Sequence, residues 1–186
     1  MNLVLVLPAA FMPPLNKPVV HRHQRTASIP AHDARLPRMP EFVFQDFDPT
    51  LSERRFHKQD FIVAAADIDE LEHVNNSVYL RYADTAAIIH SARLGMAFNK
   101  MKSLGIVPVV HGHIIKYHKS AVLGDTLEDT TWTAECAGFR AVRYHEMRRL
   151  EDNALLVQIK TNWVWIDPIT SRPKRIPSVV LEAFGF

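Results

Sequence analysis

One cysteine, Cys136, occurs in the 186 residues, so neither an intrachain disulfide nor a Cys-rich zinc site can form. No apolar run approaches the length that spans a bilayer. An excess of either charge is also missing. Lys and Arg total 22 against 20 Asp and Glu, a formal net charge of +2, which makes no general case for nucleic-acid binding. The 10 His add positive charge only in acid. There is no Gly-x-Ser-x-Gly, no phosphate loop and no dinucleotide fingerprint. No internal repeat is visible. What remains is 47% apolar and 23% charged, an ordinary globular composition at a length that suits one domain with a real core.

Residues 1–45 read differently from the rest. Eight of the 12 prolines lie in the first 49 residues, and Asp33 is the sole acid before Glu41. Proline at that density interrupts helix and strand alike. The expectation is a disordered or loosely packed N-terminal extension, with residues 46–186 as the folded domain. A basic, acid-poor segment also suits a transit peptide, and Met39 is an alternative start. The compartment expected is cytoplasmic, or an organelle if the extension is a transit peptide.

From Phe56 the texture changes. Phe56 to Ala66 reads as a strand and Ser77 to Leu94 as a helix, with Val78, Tyr82, Ala86 and Ile89 at helical spacing. Asn75, Asn76 and Ser77 are natural N-caps, and Gly95 is a natural stop. Four strands follow: Val107 to Lys119, Thr126 to Ala137, Arg140 to Leu150 and Ala154 to Ile166. Glu151-Asp152-Asn153 suits a hairpin turn, and Val179 to Phe184 a short last helix. This order predicts an α+β fold: an antiparallel sheet of about five strands wrapped on one long helix.

Chemistry concentrates between the first strand and that helix. The stretch Asp67-Ile-Asp69-Glu-Leu-Glu-His73-Val-Asn75-Asn76-Ser-Val-Tyr79-Leu-Arg-Tyr82 gathers carboxylates, a histidine and two amides at a helix N-terminus. Free N–H groups and the positive end of the helix dipole make that terminus a ready oxyanion hole. A carboxylate just before it can act as base or nucleophile. Taken singly, each residue is explained as a cap or turn former. Their coincidence points to a site. His111, His113 and His118 lack an acidic or Cys partner at a convincing spacing and read as strand histidines rather than metal ligands. Cys136, Trp132, Trp163 and Trp165 read as packing residues of the sheet.

Asp-x-Asp-x-x-x-His-Val-Asn-Asn-x-x-Tyr followed by Leu-Arg-Tyr resembles the hotdog-fold thioesterases of the 4-hydroxybenzoyl-CoA thioesterase type. Its His-Val-Asn-Asn variant is also similar to plant acyl-ACP and acyl-lipid thioesterases. Ile115-Lys-Tyr117, Ser120 to Leu127, and Trp163 to Asp167 with Arg172-Pro173-Lys-Arg-Ile176-Pro177 continue the resemblance, which spans roughly residues 56–184.

The resemblance implies a hotdog domain with Asp69 as catalytic carboxylate and the backbone N–H of Asn76 polarising the carbonyl. It implies that His73 and Asn75 orient substrate or water. Tyr79 is the helix tyrosine of the motif and a substrate-binding candidate, and Arg140, Arg172 and Lys174 or Arg175 are candidates for the phosphates of coenzyme A. Asp84 matches an acidic position of the family and equally suits a helix carboxylate paired with an Arg. Leu71 stands where the plant acyl-ACP enzymes carry Asn, which argues against copying their mechanism whole.

The activity implied is acyl-CoA hydrolysis by a homodimer or homotetramer, without metal or redox cofactor, nucleic-acid partner or membrane span. An acyl-ACP is the alternative carrier. The rival readings are a hotdog hydratase or dehydratase and a non-catalytic acyl-CoA-binding protein.

Overall fold

β1 (Phe56–Ile62) leads through a 3-10 turn (Ala65–Asp67) into α1 (Asn76–Arg93) and α2 (Phe98–Ser103). β2 (Val107–Tyr117), β3 (Thr126–Ala137), β4 (Arg140–Arg149), β5 (Leu155–Ile166) and α3 (Ser178–Ala183) follow. The computed structural model describes residues 43–186, and the expectations for the first 42 residues lie outside the described part. The strands form one antiparallel sheet in the order β1-β3-β4-β5-β2. β1 and β2 are its two edges, so the segment that carries α1 crosses the whole sheet. This is the α+β hotdog arrangement of a sheet wrapped on one long helix. Among the described residues no helix is long and apolar enough to cross a membrane.

α1 begins where Asn75 caps it, its side chain accepting the Ser77 N–H at 2.9 Å. It ends at Gly95, whose φ of 72° is open to glycine and costly for a side chain. Its buried face is Val78, Tyr79, Tyr82, Ala83, Ala86, Ala87 and His90. The alanines let the backbone approach the sheet. β1 stops at Ile62, short of Ala66, because the 3-10 turn tightens the chain there. α2 was not expected. It is six residues long, lacks a side-chain cap, and carries one buried residue, Met101. Tertiary contact holds it rather than helical period.

Two apolar clusters make up the core. One packs Val63, Val78, Tyr79 and Tyr82 on Leu127, Met147 and Ile159. The other packs Met96, Met101 and Ile106 on Ala141, Trp165, Val180 and Phe184. A buried polar layer occupies β1, β3 and β4 beneath α1: His57, Asp129, Thr131, Arg143 and His145, with His90 from the helix. The register explains it, because Thr131 pairs with both His57 and His145, and Thr133 with Arg143. On the opposite face Trp132 is fully buried against Phe47 at 5.4 Å and Tyr144 at 5.6 Å. The chain leading into β1 thus covers part of that face.

Candidate active site

The site is built on a short loop pinned at its base. The Asp67 carboxylate accepts the Tyr82 hydroxyl at 2.6 Å and the Ala64 N–H at 3.0 Å, and pairs with Arg81. Burial pushes the Asp67 carboxyl up. The Tyr82, Ala64 and Arg81 donors outweigh it and hold the group below its ordinary value. The Asp67 carbonyl accepts the Asn75 N–H at 2.9 Å, and Ile68 bridges Val74. Residues 69–73 are therefore forced into a tight reversal, with Glu72 at a φ of 61°. Inside it the Asp69 N–H donates to the His73 carbonyl at 2.9 Å, and Asp69 Oδ1 accepts the Leu71 N–H at 2.9 Å. Asp69 Oδ2 has no partner among the described residues.

Asp69, Leu71, His73, Asn76 and Tyr79 line one cleft of about 260 Å³, closed on the far side by the segment Tyr117 to Ser120. Ser77 N–H is taken by the Asn75 cap, while the Asn76 N–H at the first helical position finds no partner among the described residues. It therefore points from the positive end of α1 with its donor unspent. Tyr79 is 2% exposed, and its phenol oxygen accepts the Ala121 N–H at 3.1 Å. Burial pushes its pKa up, so it is a neutral wall and tether. The Tyr117 hydroxyl donates to the Asn76 carbonyl at 3.1 Å and ties the end of β2 to the first turn of α1. His118 Nε2 meets Gln158 Oε1 at 3.0 Å. A carboxylate, an exposed imidazole and a free backbone donor thus face one solvent-accessible space.

Other residues singled out from sequence stand elsewhere. Asn75 caps the helix and is not part of the cleft wall. Arg140 begins β4 opposite Val164, with its guanidinium 5.3 Å from the Phe139 ring. Tyr117 lies opposite Val157, seven residues along the same β5 strand from Val164. That separation is about 23 Å at 3.3 Å per residue. Lys174 binds the Asp167 carboxylate at 3.1 Å and the Gly105 carbonyl at 2.8 Å, and Arg172 is exposed in the turn after β5. Within one chain the three cations are not brought to the cleft. Asp84 is exposed and makes no ion pair with an Arg among the described residues. His111 is the unpaired residue of a bulge between Val110 and Gly112, so it does not stand in simple alternation with His113. Among the described residues no group of three or more His, Cys, Asp or Glu is placed to hold a metal ion. Sequence missed Asp67 as the anchor and Tyr117 to Ser120 as the opposite wall. Asp67 had a signal in its place before the helix, whereas the wall comes from the sheet register.

Solved structures share this fold. A 1,4-dihydroxy-2-naphthoyl-CoA thioesterase from Synechocystis superposes with a TM-score of 0.65 at 18% identity, covering 69% of this chain and 95% of that one. A DHNA-CoA thioesterase from Staphylococcus aureus gives 0.64 at 20% identity, covering 69% and 88%. Protein THEM6 of Xenopus laevis is 44% identical over 75 residues, which is 40% of this chain and 36% of that protein. The chain spans about a third of the length of the curated relatives it matches (36% and 30%). Residues 63–184 match the family model of the thioesterase-like superfamily. That stretch runs from the end of β1 through α3 and holds every residue of the cleft. The chain therefore belongs to the thioesterase-like superfamily.

Proposed function

We propose that the chain is an acyl-CoA thioesterase of the 4-hydroxybenzoyl-CoA type whose reaction takes place in the cleft at the start of α1. The observation that carries this reading is the pairing of Asp69 with the unspent Asn76 N–H in one cleft. On this reading Asp69 takes a proton from a water as that water adds to the thioester carbonyl. The oxyanion so formed is held by the Asn76 N–H at the positive helix end. Collapse breaks the carbon–sulfur bond and expels the thiolate, which recovers the proton from Asp69. A thiol pKa near about 8.5 makes that departure easy without a strong acid. Direct attack by Asp69, giving a mixed anhydride that water then opens, uses the same atoms. His73, exposed on the same wall, orients the water or the acyl group. Asn75 contributes through the cap that fixes the helix start, and Tyr79 through the cleft floor.

The reading includes a homodimer or homotetramer with the cleft at a subunit boundary. Arg140, Arg172 and Lys174 stand at the other end of their own sheet, so a second copy is what would bring such cations to a bound coenzyme A. The test is thiol release by the full chain across short, long and aromatic acyl-CoAs, with Asp69→Asn beside it. Turnover should fall by about 10²–10⁴ in the variant while acyl-CoA binding persists. Hydrolysis by the variant at the wild-type rate removes the assignment. A changed acyl double bond without free thiol points instead to a hydratase.

A further inference from the structure

The second half of α1 closes over another cavity, of about 290 Å³, which shares no lining residue with the cleft. Its body is apolar: Met101 of α2, Val110 of β2, Ala141 of β4, Trp163 and Trp165 of β5, and Phe184. A cavity of about 150 Å³ lined by aliphatic and aromatic side chains admits benzene, so this one has room for two fused rings or a medium alkyl chain.

The buried polar groups on its wall are donors in want of acceptors. Arg143 is 5% exposed, and its Nη1 donates to His90 Nδ1 and Thr131 Oγ1, each at 3.1 Å. Its Nε and Nη2 have no protein partner among the described residues, and no carboxylate lies within ion-pair distance of it. The Thr133 hydroxyl and the indole N–H groups of Trp163 and Trp165 are buried without partners among the described residues. Arg and Trp can only donate.

The neighbouring groups do not neutralise the guanidinium. His90 donates Nε2–H to the Arg54 carbonyl at 3.1 Å and accepts from Arg143 at Nδ1, so it is neutral. Burial, with Arg143 beside it, pushes its pKa down to about 3. Burial raises the Cys136 thiol to about 11. Asp129, the carboxylate whose charge Arg143 feels, gives Oδ2 to His145 Nδ1 at 2.9 Å, keeps Oδ1 without a partner among the described residues, and stands beyond ion-pair distance of Arg143. Burial brings Arg143 itself down to about 10, which leaves it charged at neutral pH. Asp84 lines the mouth and is exposed, so it repels an anion there and favours one held deep.

An unpaired buried guanidinium, orphaned N–H donors and an apolar body are complementary to one chemical class. We infer that this cavity is a binding site for an apolar monocarboxylic acid, its carboxylate on Arg143 and its tail between Trp163, Trp165 and Phe184. The guanidinium fork fits a carboxylate in two parallel hydrogen bonds. The inference stands whether or not the cleft hydrolyses thioesters, because the acid is held here and not transformed.

The test is calorimetric titration of the full chain with octanoate and, as the uncharged probe of equal length, 1-octanol. Wild type should bind octanoate at least about tenfold more tightly than octanol. Arg143→Met should abolish that preference and keep octanol binding, which also reports that the variant folds and the cavity persists. Asp69→Asn should leave both affinities unchanged. Should Arg143→Met not fold, Arg143→Lys carries the test, since it keeps the charge but loses the two-bond fork and should weaken octanoate by roughly threefold while leaving octanol binding unchanged. Equal affinities for the two probes, or no binding of either, overturn the inference. So does loss of octanoate in Asp69→Asn but not Arg143→Met, which would place the acid in the cleft. A fall in sedimenting mass on Arg143→Met with octanoate affinity intact would make the cavity a contact between copies and overturn it as well.

Discussion

The two halves of α1 stand over different kinds of surface. At its N-terminus the polar groups sit on a short loop and face water: Asp69 is half-buried and His73 exposed. Over its C-terminal half the polar groups are locked between the helix and the sheet. His57, His90, Asp129, Arg143 and His145 are each at most 5% exposed. The loop is held by backbone hydrogen bonds and the Asp67 anchor, so its side chains are free to meet a ligand and exchange protons with solvent. The sheet groups are held by one another. Their charge state is set by burial and by neighbours, and changing one partner strands the other.

Substitutions at the two places should therefore fail in opposite ways. Asp69→Asn should cut thiol release by about 10²–10⁴ while shifting stability by less than about 0.5 kcal/mol, since the side chain touches no core. Denaturant unfolding beside the activity assay checks both halves of that statement. His145→Leu should do the reverse. It leaves the fully buried Asp129 carboxylate without its partner and should cost about 3–5 kcal/mol. A loss under about 1 kcal/mol there would mean that the polar layer tolerates an unpaired charge.

Acid sharpens the contrast. His90 takes up its proton only near pH 3 in the fold, against an ordinary value of 6.5. Below 6.5 the unfolded chain binds that proton and the folded chain does not. Stability is therefore whole above pH 6.5 and is lost as the pH falls toward 3, by roughly 4–5 kcal/mol. His57, whose pKa burial and Arg93 also push down, adds in the same direction. Denaturant midpoints at pH 7, 6, 5 and 4 measure the slope. If His90→Asn leaves the slope between pH 6 and 5 as steep as wild type, the histidine is not its source. Among the changes that lower stability, the cap is expected to have the smallest effect. Asn75→Ala should cost about 1 kcal/mol and Asn75→Asp should restore it.

The same division marks what was legible. The α1 register and the bounds of β3 follow from periods of 3.6 and 2, which are local properties of the chain. The placing of Asp69, His73 and Asn76 by the helix start is equally local, because the loop, the cap and the first turn lie within residues 69–79. α2 was missed because its six residues are held by packing. The polar layer was missed because its members come from β1, α1, β3 and β4 and meet only when those elements pack. Strand alternation alone would set His111 and His113 on one face, and a bulge between Val110 and Gly112 interrupts it. A bulge costs one residue of register and leaves little trace in composition.

By itself the sequence determined the order of the five strands and the long helix, the capped helix start and the carboxylate, imidazole and amide set beside it. Those rest on dihedral preference, capping and side-chain period, which act over a few residues. Only the tertiary structure decided that Tyr117 to Ser120 would wall the cleft and that Arg140, Arg172 and Lys174 would stand at the other end of the sheet. It also decided that Arg143 would meet His90 with no carboxylate in reach. Those outcomes depend on which strands pair and in what register, and that is fixed by burial summed over the whole sheet.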